Sequence, residues 1–234
     1  VEFWNDELNT FKPFTHCCIF SGSYIYTRTL LNVCRQRGTR TLVLEGFFPG
    51  NEFYCEERST PIATASDLGL KNYSTSIRIP DDAGEQDRMR AQAHRALANM
   101  NNKNVKKQDD VALRYFDNGK PTLLIIGQVL NDFSIIETAS HSVATIPFYK
   151  SMIQSVLEKT DMNIIFKAHP WEHHRPNVRA ARTLQEVQAF VTQVSDDQRG
   201  RIQIVETPPL TSLLKISDWT VTMCSQGALE ACNM

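Results

Sequence analysis

Pro121-Thr122-Leu123-Leu124-Ile125-Ile126-Gly127-Gln128 is the strongest strand in the sequence, an apolar run that ends at a glycine. Reading on toward the C terminus, a helix is predicted from about Ile146 to Lys159, then a strand over Asn163–Lys167. A helix over Thr183–Val194, a strand over Ile202–Val205 and a short helix over Leu210–Ile216 come next. The strand Trp219–Met223 then runs into Ser225-Gln226-Gly227 and a helix start. This β-α-β-α-β-α-β-(α) alternation predicts an α/β fold with a doubly wound parallel sheet, whose ligands lie at the carboxyl ends of the strands.

Toward the N terminus, His16–Phe20 reads as a buried strand that stops at Ser21-Gly22. A helix over Tyr24–Arg37 follows, with Ile25, Leu30, Leu31, Val33 and Cys34 largely on one side and Gly38 as its stop. Thr41–Glu45 is the next strand, so residues 16–46 form a βαβ unit with parallel strands. Gly46–Ile79 reads as irregular, Asp87–Met100 as a helix, and Asn101–Asp110 as an exposed polar connection. The expected division is an N-terminal domain over 1–117 and a C-terminal domain over 118–234.

The remaining arithmetic excludes more than it identifies. With 234 residues, 41% hydrophobic and 22% charged, the chain is neither disordered nor fibrous. A net charge of −1 leaves no global field for nucleic acid, and basic residues are not interleaved with aromatics. No apolar run is long enough to span a bilayer, and the first residues lack the pattern of a signal peptide, so a cytoplasmic location is expected. The six cysteines contain no Cys-x-x-Cys pair and are expected to be free and mostly buried thiols. The chain ends seven residues after Gly227, which predicts that its C-terminal end is truncated.

Four clusters fall just after predicted strands. In Gly127-Gln128-Val129-Leu130-Asn131-Asp132-Phe133-Ser134, Asp132 stands at a strand's carboxyl edge as a nucleophile or base, or else turns the chain and caps a helix. In Lys167-Ala168-His169-Pro170-Trp171-Glu172-His173-His174, alternation puts Lys167 and His169 on one side of the strand end. A cation beside an imidazole suits a ligand's phosphate or carboxylate. Pro170 breaks the helix that would stack His169 over His173, so a metal site is not expected, and a solvated His173-His174 pair is the plainer reading. Cys224-Ser225-Gln226-Gly227-Ala228-Leu229-Glu230 offers backbone N–H groups at a helix start, either an anion site with Glu230 on a ribose or an ordinary N-cap. Glu45, in Leu44–Gly50, is a general base or a loop carboxylate. No G-x-S-x-G elbow and no H-E-x-x-H motif occurs.

In order, EGFFPG (45–50), GQVLNDFS (127–134), KAHPWE (167–172) and SQGALE (225–230) resemble motifs of the capsule polysaccharide biosynthesis (KpsC/KpsS-like) family. Its Kdo transferases use CMP-Kdo and have GT-B-like folds. The resemblance implies two Rossmann-like domains, an acceptor-side one followed by a nucleotide-sugar-binding one that is incomplete here. It implies retaining transfer of a Kdo-like ulosonic acid from a CMP donor, with Asp132 as nucleophile, Glu45 as base, and His169 and Lys167 on the departing CMP. Gln128, Ser134, Trp171, Glu172, Ser225, Gln226, Gly227 and Glu230 are the further substrate-binding residues it implies. It implies no cofactor and no metal, since the donor is itself the nucleotide-bearing substrate. The expected partners are a glycan or glycolipid acceptor and, at the inner face of the membrane, the polysaccharide assembly machinery. The competing expectations are a CMP-polyol phosphotransferase of teichoic-acid type, which a second catalytic histidine in the N-terminal half would favour, and a non-catalytic glycan-binding fragment.

Overall fold

The computed structural model describes residues 1–46, 53–57, 81–98, 112–130, 132, 134–135, 145–170, 182–225 and 227–232. The chain divides into two compact units, Val1–Lys103 and Asn104–Met234.

The first unit contains α1 (Glu2–Thr10), β1 (His16–Phe20), α2 (Ile25–Gln36), β2 (Arg40–Gly46), β3 (Phe53–Glu56) and α3 (Ala83–Ala98). Strands β1 and β2 pair in parallel through α2, as the βαβ reading requires. The helix turns Leu31, Val33 and Cys34 inward, and Leu31 packs with Ile19 of β1 and Val43 of β2. Gly38, at φ 70°, follows the helix in the left-handed region where a side chain would be strained. Ile25 leaves the expected stripe and is 83% exposed, because it opens the helix beyond the reach of the sheet.

Two expectations are corrected here. β1 is not buried throughout: Ile19 faces α2, while Cys18 and Phe20 point to the other face and are exposed. The stretch after Gly46 also contains β3, which pairs antiparallel with β2, so this sheet is mixed. α1, which the sequence reading did not include, has no buried residue. Arg37 ties it to α2 by donating to Asn5 Oδ1, Asn5 O and Asn9 Oδ1.

The second unit contains β4 (Thr122–Ile126), α4 (Thr145–Lys159), β5 (Asn163–Lys167), α5 (Arg182–Val191), α6 (Asp196–Arg199), β6 (Ile202–Val205), α7 (Leu210–Leu214), β7 (Trp219–Thr222) and α8 (Gly227–Cys232). Its four strands are all parallel, in the order β6-β5-β4-β7. Every residue of β4 is buried because the strand feeds two cores. Leu123 and Ile125 pack with Tyr149, Ile153 and Leu157 of α4 and with Leu184 and Val187 of α5. Leu124 and Ile126 face the other way, onto Leu213 and Leu214 of α7. The alternating side chains of one strand thus join helices on both sheet faces, which is the double winding read from the sequence.

All six cysteines are free, but only Cys34 is buried; Cys18, Cys55 and Cys232 are exposed, against the expectation of mostly buried thiols. Among the described residues no helix is long and apolar enough to cross a membrane.

Candidate active site

Strand order places the site in the second unit. From β4 the chain moves through β5 to β6 on one side, then returns to place β7 on the opposite side of β4. The order therefore reverses between β4 and β7, the position at which open α/β sheets bind their ligands. Ile126 is level with both Lys167 and Thr222, so the carboxyl ends of β5, β4 and β7 lie side by side. Three of the four motifs begin at this edge.

Gln128 and Cys224 join the two sides of the reversal. The Gln128 Oε1 accepts from Cys224 N at 3.3 Å and from Cys224 Sγ at 3.2 Å, and Gln128 is only 4% exposed. Burial, and after it the negative charge of Asp132, push the Cys224 thiol up to about 11, opposed by the Gln128 hydrogen bond. Cys224 is therefore a neutral thiol within the electrostatic reach of Asp132, and it brings the first and third motifs together.

Asp132 is half-buried and follows a turn in which its own N–H donates to Val129 O at 3.1 Å. Its Oδ1 accepts from Ser134 N at 2.9 Å, and Ile135 N donates to Asp132 O at 3.0 Å. This is the helix-capping geometry of the plainer reading. It occupies one carboxylate oxygen and holds the group in a fixed orientation, so capping and chemistry are compatible in one side chain.

Lys167 ends β5 and is half-buried, its Nζ donating to Glu206 O at 2.8 Å. Burial lowers the ammonium to about 8, partly opposed by the negative charge of Glu206. One of its three donors is thereby fixed, and the chain bends closely beneath it. Gly127 N donates to Lys167 O at 2.8 Å, and a Cβ on Gly127 would lie 2.7 Å from that same carbonyl. Glycine is required at 127 by this backbone contact. Ala168 continues the pairing by donating to Val205 O at 2.9 Å, and His169 follows, half-buried, on the same strand end.

The third motif is more self-contained than its sequence suggested. Ser225 N donates to Thr222 Oγ1 at 3.2 Å, Gly227 N to Ser225 Oγ at 3.2 Å, and Ala228 N to Ser225 O at 3.1 Å. The N–H groups expected to face a ligand at these positions instead close the turn, with Ser225 acting as the cap. Glu230 is half-buried one turn further, and burial raises its carboxyl above the ordinary range.

Glu45 lies in the first unit, half-buried near the end of β2, level with Tyr54 of β3. Just beside it the β1 strand ends in a strained turn, Ser21 at φ 63° and Gly22 at φ 30°, with Ser21 N donating to Leu44 O at 2.6 Å. Trp171, Glu172 and Gln226, with His173 and His174, fall outside the described residues. Among the described residues no group of three His, Cys, Asp or Glu side chains gathers as a metal site. Glu206 was missed as a member of this edge, and Cys224, which opens the third cluster, was not expected to bond Gln128; neither contact follows from a sequence motif. A separate cavity of about 360 Å³, lined by Leu113, Tyr115, Thr122, Ile165 and Ile216 among others, takes no residue from the strands' carboxyl ends.

The family model described as Capsule polysaccharide biosynthesis protein matches residues 68–234. No curated protein matches the chain. Among solved structures, KpsC of Thermosulfurimonas dismutans, a beta Kdo 2,4 transferase, is similar with a TM-score of 0.60. The two are 17% identical, and the match covers 95% of this chain and 68% of that one. At this identity the likeness is one of fold, α/β and GT-B-like.

Proposed function

The chain belongs to the capsule polysaccharide biosynthesis family, and we propose that it is a glycosyltransferase of that assembly, moving a Kdo-like ulosonic acid from a CMP donor to a glycan or glycolipid. The observation that supports this reading is that the motifs of Asp132, Lys167 and Ser225 follow the carboxyl ends of three neighbouring parallel strands, with Asp132 within electrostatic reach of Cys224.

In the proposed reaction the Asp132 oxygen not engaged with Ser134 attacks the sugar's anomeric carbon. The bond to CMP breaks, its electron pair leaves with the phosphate, and a glycosyl ester remains on Asp132. Lys167, with two N–H donors beyond the one held by Glu206, and His169 meet the charge that grows on the phosphate. The acceptor hydroxyl then displaces Asp132, giving its proton to Glu45. Two displacements at one carbon retain configuration. The turn at Ser225 and Gly227 shapes the wall of the nucleotide site, Gln128 supports it, and Ser134 holds Asp132. Glu230 accepts from the ribose hydroxyls, and Trp171, Glu172 and Gln226 complete the donor contacts. The donor needs no cofactor, because a single phosphate leaves with the nucleotide.

A second catalytic histidine in the N-terminal half would favour a polyol phosphotransferase. His16 instead begins β1, at the amino end of the strand, where its Nδ1 lies 2.8 Å from Thr15 Oγ1. Offering the protein CMP-Kdo and a CMP-linked polyol phosphate in parallel separates the readings. The account expects CMP release from CMP-Kdo alone; release from the polyol donor alone would reverse the assignment.

A further inference from the structure

Ile126↔Thr222 is the last backbone pair of β4 and β7. The segment after β4 carries Asp132 and the segment after β7 carries the Ser225 turn. Two residues past each strand end, Gln128 meets Cys224: a single carboxamide oxygen accepts both the backbone N–H and the thiol. Gln128 is almost wholly buried, and its oxygen is spent on protein rather than on solvent. An apolar side chain there would leave the Cys224 N–H without its acceptor in a half-buried position. A glutamate would supply the oxygen at the cost of a second negative charge near Asp132.

We propose that Gln128 is a positioning residue rather than a donor contact: it latches the turn after β7 to the segment after β4 and so sets where Asp132 stands relative to the sugar. Its kinetic consequence rests on the transferase reading, whereas the latch itself does not. Misplacing a reacting group by about 1 Å costs up to about a hundredfold in rate while leaving the ligand's other contacts in place. The expected signature is therefore a loss in kcat without a matching loss in nucleotide affinity.

The test uses the full chain with Gln128→Met, which keeps length and removes the acceptor, Gln128→Asn, which shortens the reach, and Cys224→Ser, which keeps a donor. Hydrogen exchange of peptides spanning Cys224 is expected to quicken by about tenfold in Gln128→Met and Gln128→Asn, and to stay near wild type in Cys224→Ser. For CMP, calorimetry is expected to give a Kd within about twofold of wild type for all three, while kcat on CMP-Kdo falls by about tenfold or more in the two Gln128 variants alone. Unchanged exchange at Cys224 in both Gln128 variants overturns the latch. Weakened CMP binding with unchanged exchange also overturns it, and makes Gln128 a donor contact. If wild type neither binds CMP nor turns over CMP-Kdo, the transferase reading fails, and the exchange data still decide the latch.

Discussion

Lys167 is held under two opposed demands. Burial disfavours its charge and lowers it from 10.5 to about 8, while the Glu206 carbonyl and carboxylate favour the protonated form. A charge that holds a phosphate is present below that value and is lost as pH rises through it. CMP affinity is therefore expected to be level up to about pH 8 and then to fall by about tenfold per pH unit. Lys167→Arg, whose guanidinium stays charged, should abolish that decline, and calorimetry from pH 7 to 9.5 checks both. A wild-type affinity that is flat across this range excludes Lys167 as the phosphate's cation. For stability the sign is opposite: keeping the buried ammonium charged costs most below about pH 8, and the cost is relieved between there and 10.5 as the folded protein sheds the proton. The residues of this edge were legible in sequence as motifs, since strand ends followed by glycine, histidine or serine stand out. Their hydrogen-bond partners were not. Nothing near Lys167 in sequence points to Glu206, and the inward-turned N–H groups at Gly227 and Ala228 depend on a side-chain cap that sequence only offers as an alternative.

At the level of elements, the second unit is braced by contacts that set one element against the next. Arg201 donates to Leu157 O, Thr160 O and Met162 O, closing the end of α4 and the approach to β5 from the residue just before β6. Arg201→Met is expected to destabilise this unit by about 1.5–3 kcal/mol, seen as a lower urea midpoint at unchanged slope. Gly127→Ala forces a methyl group to 2.7 Å from the Lys167 carbonyl, and backbone cannot step aside as a flexible side chain can. The expected cost is about 1–3 kcal/mol, together with weaker CMP binding because Lys167 is displaced. An Ala variant as stable as wild type would show that β4 and β5 separate easily beyond Ile126. The strands and helices of this unit were readable because each βαβ step is local and its apolar runs are bounded by turns. In the first unit β3 escaped because it has four residues and a neighbour supplied from β2. α1 escaped because none of its residues is buried, and it is tied to α2 by polar contacts from Arg37.

For the whole molecule, the net charge of −1 fits the proposed site, in which one lysine at a sheet edge would meet the phosphate and no basic face is required. Glu45 lies in the first unit, and Asp132 with Lys167 and the Ser225 motif lies in the second. The sequence pattern placed three of the motifs after strands, and those strands are adjacent and parallel. The mixed sheet of the first unit was not legible, and the register partner of Glu45, Tyr54, comes from β3. The central claim is that Asp132 forms the bond to the sugar. Intact-mass spectrometry of the protein with CMP-Kdo and no acceptor tests it most directly. The account predicts one Kdo residue added to the wild-type chain, mapped to the peptide containing Asp132, and none on Asp132→Asn or Asp132→Ala. An adduct that persists on both variants would contradict it.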